Sequence, residues 1–178
     1  MVVVDEAYVD FGAESAVPLT KKYDNLLITQ TFSKSRSMAG ARLGVAIGNA
    51  SLIQDLNTVK YSTNPYNINR MTMAAGLGVL ADEAYTRKNC LSIVENRAYA
   101  ANRMQAMGFT MTDSQTNFLF AKHARVGGKA LYTALRERGI LVRHFDKPRL
   151  ADYNRITVGS REQMVTLCDT LEEILKEN

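Results

Sequence analysis

The chain has 178 residues, room for one ordinary domain or two small ones; 46% are hydrophobic and 22% charged, the balance of a globular protein rather than a disordered or fibrous one. Its net charge of +4 is spread over interleaved basic and acidic residues, which argues against nucleic-acid binding and suits a site for anionic small molecules. No apolar run reaches bilayer-spanning length, no secretory leader opens the chain, and Cys90 and Cys168 form no CxxC pair, so a cytoplasmic protein with reduced thiols is expected.

In chain order, Val2 to Val4, Leu26 to Phe32 and Gly44 to Ile47 read as strands, and Ser51 to Lys60 has helical apolar spacing. Strands alternating with helices predict an α/β unit around a largely parallel, buried sheet. The polar segment Ser62 to Asn67 is a connector. A long helical region follows, from about Ile68 to Met107, broken at Gly76, at Gly78 or near Arg87 and capped by Gly108. Strands are expected at Phe109 to Met111, Phe118 to Ala121, Ile140 to Arg143 and Arg155 to Val158. Helices are expected over Gly127 to Arg138, with Gly139 as cap, and from Ser160 to Leu175, with Ser160 as N-cap. The second half is therefore an α+β unit, with the boundary near residue 75, giving parts 1–75 and 76–178.

The segment Thr31-Phe32-Ser33-Lys34-Ser35-Arg36-Ser37-Met38-Ala39-Gly40-Ala41-Arg42 carries most of the chemistry. It follows a strand, so its loop arrives at the carboxyl edge of a sheet, where α/β proteins bind ligands. Lys34 among small residues is either an ordinary surface lysine or an amine able to form a Schiff base, its pKa depressed by burial and by Arg36 and Arg42. Arg42 can bind phosphate oxygens bidentately, with Thr31 and Ser33 adding hydroxyl donors, or it is a solvated or structurally paired arginine. Asp5 ends an apolar strand in Asp5-Glu6-Ala7-Tyr8. Taken alone, Asp5 would cap a turn and Tyr8 would pack in a core. Arg155 enters an apolar strand, where a guanidinium is costly without a partner; a substrate carboxylate or a structural acid would serve. His123 and His144, with two distant cysteines, make no metal-ligand pattern.

The S-K-x-x-x-x-x-G-x-R spacing from Ser33 to Arg42, preceded by D-E-A-Y at Asp5 to Tyr8, resembles the fold-type I pyridoxal-phosphate (PLP) aminotransferases, and most closely the histidinol-phosphate aminotransferases. The resemblance implies an α/β fold: the C-terminal part of an aspartate aminotransferase-like large domain, followed by a small α+β domain. It implies PLP as cofactor, Lys34 as the lysine that bonds it, and Thr31, Ser33 and Arg42 around its phosphate. Asp5 would protonate its ring nitrogen, and Tyr8 would bond its phenolic oxygen. Arg155 in R-I-T-V-G would clamp a carboxylate, with Arg143 and Asn117 of the T-N-F segment nearby; a turn-forming role for Asn117 is an equal reading. The implied reaction is transamination between histidinol phosphate, a phosphorylated amino alcohol, and 2-oxoglutarate, in histidine biosynthesis, by a homodimer or higher homo-oligomer. A threonine-phosphate decarboxylase-like enzyme, or a non-catalytic dimerisation module, are the alternatives.

The resemblance spans the whole chain but only about the C-terminal half of such an enzyme. The ring-stacking aromatic, the N-P-N-N-P-T-G segment and the glycine-rich phosphate loop of the family have no counterpart here. The chain by itself is accordingly expected to self-associate, to bind PLP weakly and to turn over no substrate.

Overall fold

Aliphatic runs that favour extended backbone open the molecule, and the computed structural model, which describes residues 1–177, builds its first sheet from them. β1 (Val2–Asp5) pairs in parallel with β2 (Leu26–Thr31), and β2 pairs antiparallel with β3 (Gly44–Gly48). The sheet is thus mixed rather than largely parallel. The twelve-residue link from β2 to β3 folds back on itself instead of crossing over through a helix, and an antiparallel return needs no crossover. Two 3-10 turns, Val9–Phe11 and Val17–Lys21, lie between β1 and β2. The middle strand buries Leu26, Leu27 and Ile28, whereas Val2 and Val3 on the edge strand are each 53% exposed.

Asn49 starts α1 (Ala50–Thr63) by accepting the Ser51 amide, and Asn69 starts α2 (Arg70–Ala81) by accepting the Thr72 amide. The helical region breaks at Asp82, not at Gly76, Gly78 or Arg87. Gly76 and Gly78 lie inside α2. Asp82 ends α2 and accepts the Tyr85 amide at 3.1 Å, which begins α3 (Glu83–Ala106). Gly76 has a packing role, because a Cβ there would lie 2.6 Å from the Leu43 side chain. Through that approach and a 3.2 Å bond from the Thr72 hydroxyl to the Ala41 carbonyl, α2 belongs with the first sheet. The molecule accordingly divides at Cys90, inside α3, rather than near residue 75.

From Leu91 onward a second unit forms. Its sheet, entirely antiparallel, has the order β4 (Phe109–Met111), β5 (Phe118–His123), β7 (Asn154–Thr157) and β6 (Arg143–His144). Of the strand expected at Ile140 to Arg143, only Arg143 pairs, together with His144. α4 (Gly128–Glu137) and α5 (Arg161–Glu177) complete the unit. Strand side chains alternate, so Leu119, Ala121 and Ile156 meet Leu131, Leu135, Leu167, Leu171 and Ile174 of the helices in one core. Gly108 and Gly139 end α3 and α4 at φ +90° and +78°, a region costly for any other residue. Ser160 and Gln163 cap α5 reciprocally, each side chain accepting the other's amide. Among the described residues, no helix is long and apolar enough to cross a membrane.

Candidate functional site

Because β1 and β2 run parallel, the carboxylate that ends one and the loop that leaves the other emerge at the same sheet edge. Asp5 sits at that edge with its carboxylate exposed, accepting one bond from the Ala7 amide at 3.0 Å. The next side chain along the strand, Glu6, points the other way and is buried. Its carboxylate accepts the Ala16 amide at 2.5 Å, the Ser15 hydroxyl at 2.8 Å and the Gln30 side-chain amide at 2.9 Å. Burial alone would raise its pKa. The bonds from Gln30, Ala16 and Ser15 outweigh that and hold it below the usual glutamate value. Glu6 thereby joins β1, β2 and the loop before the second 3-10 turn just behind Asp5 and Tyr8.

The loop from Phe32 to Leu43 is closed at its base by the Phe32 amide bonding the Leu43 carbonyl at 3.0 Å, and tightened by the Met38 amide on the Phe32 carbonyl at 3.0 Å. Phe32, Ser35 and Met38 turn inward and are buried, which leaves Lys34 standing out. The Lys34 ammonium lies 5.7 Å from the centre of the Tyr8 ring. The Arg36 guanidinium is instead 5.4 Å from the Phe32 ring centre. Two non-glycine residues of this loop, Ser37 and Arg42, take left-handed backbone at φ 54° and 55°. Each conformation is strained by roughly 1–2 kcal/mol, a cost that persists where surrounding structure over-determines the loop.

At the mouth of the loop, the Thr31 hydroxyl donates to Ser33 Oγ at 2.9 Å and receives the Ser33 amide at 3.1 Å. Arg42 is exposed, and one of its terminal nitrogens bonds the Ala39 carbonyl at 2.9 Å. An amine, two hydroxyls and a guanidinium therefore share one loop, facing solvent, with a carboxylate at the same strand edge. That donor set suits a ligand carrying a phosphate, a carbonyl and a basic ring nitrogen.

The remaining candidates form a separate set in the second unit. Arg143 and Arg155 stand directly opposite each other on β6 and β7, both on the exposed face. Arg155 does not enter an apolar environment: β7 alternates, burying Asn154 and Ile156 and presenting Arg155 outward. Its guanidinium is 5.3 Å from the Phe118 ring centre, and that of Arg143 is 5.3 Å from the Phe145 ring centre. Like charges opposed across a strand pair repel, and an anion between them would relieve that. Asn117 precedes β5 and acts through its backbone, its carbonyl accepting the Val158 amide at 2.9 Å.

Sequence reading passed over two groups at this edge, Glu6 and Asp10, and took Ser35 only as one of the small residues around Lys34, whereas it is buried and bonded to Asp10. Strand parity offers a signal for Glu6, since an exposed Asp5 implies a buried neighbour. Ser35 hydrogen-bonds the Asp10 carboxylate across 25 positions of chain, and no local pattern marks that pair.

The profile of the family described as Aminotransferase class I and II matches residues 1–171. The histidinol-phosphate aminotransferase of Chromohalobacter salexigens is 49% identical over 176 residues, which are 99% of this chain and 50% of that protein. That of Brachyspira hyodysenteriae is 45% identical over 177 residues, again covering 50% of its length. Among solved structures, histidinol-phosphate aminotransferase from Sinorhizobium meliloti in complex with pyridoxal-5'-phosphate superimposes with a TM-score of 0.83 at 25% identity, covering 99% of this chain and 49% of that one. The chain spans about half the length of the relatives it matches.

Proposed function

The chain belongs to the class I and II aminotransferase family, and we propose that, joined to the half its relatives add, it transfers the amino group of histidinol phosphate to 2-oxoglutarate with PLP as cofactor. The observation that carries this reading is the Lys34 ammonium over the Tyr8 ring, on a loop leaving the same parallel edge as Asp5. Bound PLP supplies an aldehyde for the substrate amine and a ring that draws electrons from the substrate α-carbon. Thr31, Ser33 and Arg42 hold its phosphate. Asp5 keeps its ring nitrogen protonated, and Tyr8 donates to its phenolic oxygen. Lys34 would hold the cofactor through its amine and would take and return the proton at the substrate α-carbon. Arg155, with Arg143 across from it and Asn117 nearby, binds the carboxylate or phosphate of the substrate. All six cofactor-holding residues fall within residues 1–75.

The same reading includes a homodimer or higher homo-oligomer, supported by the apolar side chains that the first unit leaves exposed. It includes a cytoplasmic location, with which the buried free thiols of Cys90 and Cys168 accord.

Borohydride reduction of the full-length protein with PLP, followed by peptide mapping, tests the reading. Label on Lys34, with glutamate formed from histidinol phosphate and 2-oxoglutarate, is the expected result. Label on another lysine overturns the site. Carbon dioxide released from threonine phosphate, without glutamate formation, points to the decarboxylase instead.

A further inference from the structure

The ammonium of Lys34 touches the Tyr8 ring but is held by no hydrogen bond or ion pair among the described residues. Its position is set by the backbone on either side. On one side the backbone is secured by Phe32, buried and bonded to Leu43 and Met38. On the other side stands Ser35, also buried, whose hydroxyl donates to the Asp10 carboxylate. Asp10 belongs to the 3-10 turn Val9–Phe11, which Tyr8 starts and which the buried Phe11 ends. One charge-assisted bond therefore ties the residue next to Lys34 to the turn that carries the ring beneath Lys34. The left-handed Ser37 follows two positions later, so the loop has an anchor at Ser35 and a strained residue just beyond it. Asp10 has a definite setting: the buried Cys90 thiol, pushed up first by burial, is pushed further by Asp10 and eased by Arg36.

We propose that Asp10 and Ser35 are positioning residues: their hydrogen bond fixes the Lys34 amine over the Tyr8 ring, where it would meet the bound cofactor and the substrate proton. This rests on the assignment of Lys34 as the cofactor lysine. Neither residue touches a reacting atom. The Asp10 side chain supplies the acceptor of that bond, and Ser35 is small enough to be buried beside a solvent-facing lysine. A reacting group displaced by about 1 Å loses rate steeply, so a tie of this kind acts on rate more than on affinity.

The test uses the full-length protein stripped of cofactor, with the growth of the Lys34–cofactor absorbance band followed after PLP is added, alongside steady-state kinetics. Ser35→Ala and Asp10→Asn should each slow band growth and lower kcat by on the order of ten-fold, with KM for 2-oxoglutarate changed less than about two-fold. The double variant should be no worse than either single one, because both remove the same bond. Ser35→Thr should recover most of the rate. Asp10→Asn keeps the shape of the side chain and serves as the test should Ser35→Ala fail to fold. Unchanged band growth in the variants, effects that multiply in the double variant, or a lower unfolding midpoint with normal kcat would each overturn the positioning role. Absence of the band from the unaltered protein would instead refute the assignment of Lys34 itself.

Discussion

The two units solve the burial problem differently. From Leu91 onward the chain closes a core between one sheet face and three helices, and the side chains of Leu131, Leu135, Leu171 and Ile174 are inaccessible or nearly so. Before it, the sheet buries only its middle strand, α1 buries nothing, and α2 presents Met71, Met73, Leu77 and Leu80 to solvent. Apart from Leu91 and Leu141, the large apolar side chains exposed among the described residues all lie in the first unit. The chemistry is arranged in the same unequal way. Six of the nine candidate residues stand on the poorly covered unit, on a strand edge and a loop held by polar ties. The second unit pairs its closed core with Arg143, Arg155 and Asn117, and the first pairs its exposed apolar surface with the Lys34 loop.

The largest expected effect comes from removing that lysine. In the full-length protein Lys34→Arg should lower kcat by at least about 10³-fold, with loss of proton transfer as the main cause, while thermal unfolding stays where it was. A variant that keeps activity within a few-fold would break the assignment of chemistry to the first unit.

Core truncation comes next. Leu171 is fully buried and Val3 is 53% exposed. Leu171→Ala should cost about 3 kcal/mol through lost transfer and a residual cavity. Val3→Ala in the isolated chain should cost less than about 1 kcal/mol. Urea unfolding followed by circular dichroism measures both, and equal costs would erase the distinction between the units.

Glu6 sharpens the comparison, because it supplies part of what the first unit lacks in apolar burial. Its folded-state pKa is lowered below the ordinary 4.5, so the folded state binds this proton less readily than the unfolded one. The resulting stabilisation is present above pH 4.5 and fades as pH falls through the folded-state value. Glu6→Gln should lower stability by about 1–2 kcal/mol at pH 7. The gap between variant and parent should close in acid. A gap that widens on acidification would reverse the sign of the argument.

The smallest effect concerns two glycines of α2. A Cβ at Gly78 would meet nothing within 4 Å, while one at Gly76 would press on Leu43. Gly78→Ala should raise the unfolding midpoint, corresponding to about 0.5 kcal/mol, through reduced unfolded-state entropy. Gly76→Ala should fail to gain as much. Equal gains would mean that α2 is not seated on the Lys34 loop.

One tetrapeptide shows how far sequence reading reaches. Asp-Glu-Ala-Tyr occurs at Asp5 to Tyr8 and again at Asp82 to Tyr85. In both places the aspartate accepts a backbone amide, that of Ala7 in the first and that of Tyr85 in the second. The first ends a strand beside a parallel neighbour and leaves its carboxylate at a sheet edge. The second follows α2 and starts α3. The four residues specify the local capping, and the elements around them decide whether the carboxylate has a site to serve.

What the sequence determined by itself was the content carried within a few residues: the apolar strands, the glycines that end α3 and α4 at positive φ, the Ser160 N-cap of α5, and the Lys34 segment with its hydroxyls and Arg42. These follow from period, propensity and cap chemistry, which act over one or two turns of chain. Tertiary structure alone decided the antiparallel return of β3, the outward placement of Arg155 over Phe118, the burial of Glu6 among Ser15, Ala16 and Gln30, and the bond from Ser35 to Asp10. Each of these joins groups distant in sequence, and their partners are selected by packing and by the need to satisfy buried polar atoms once the chain has closed, a condition that no short window of residues expresses.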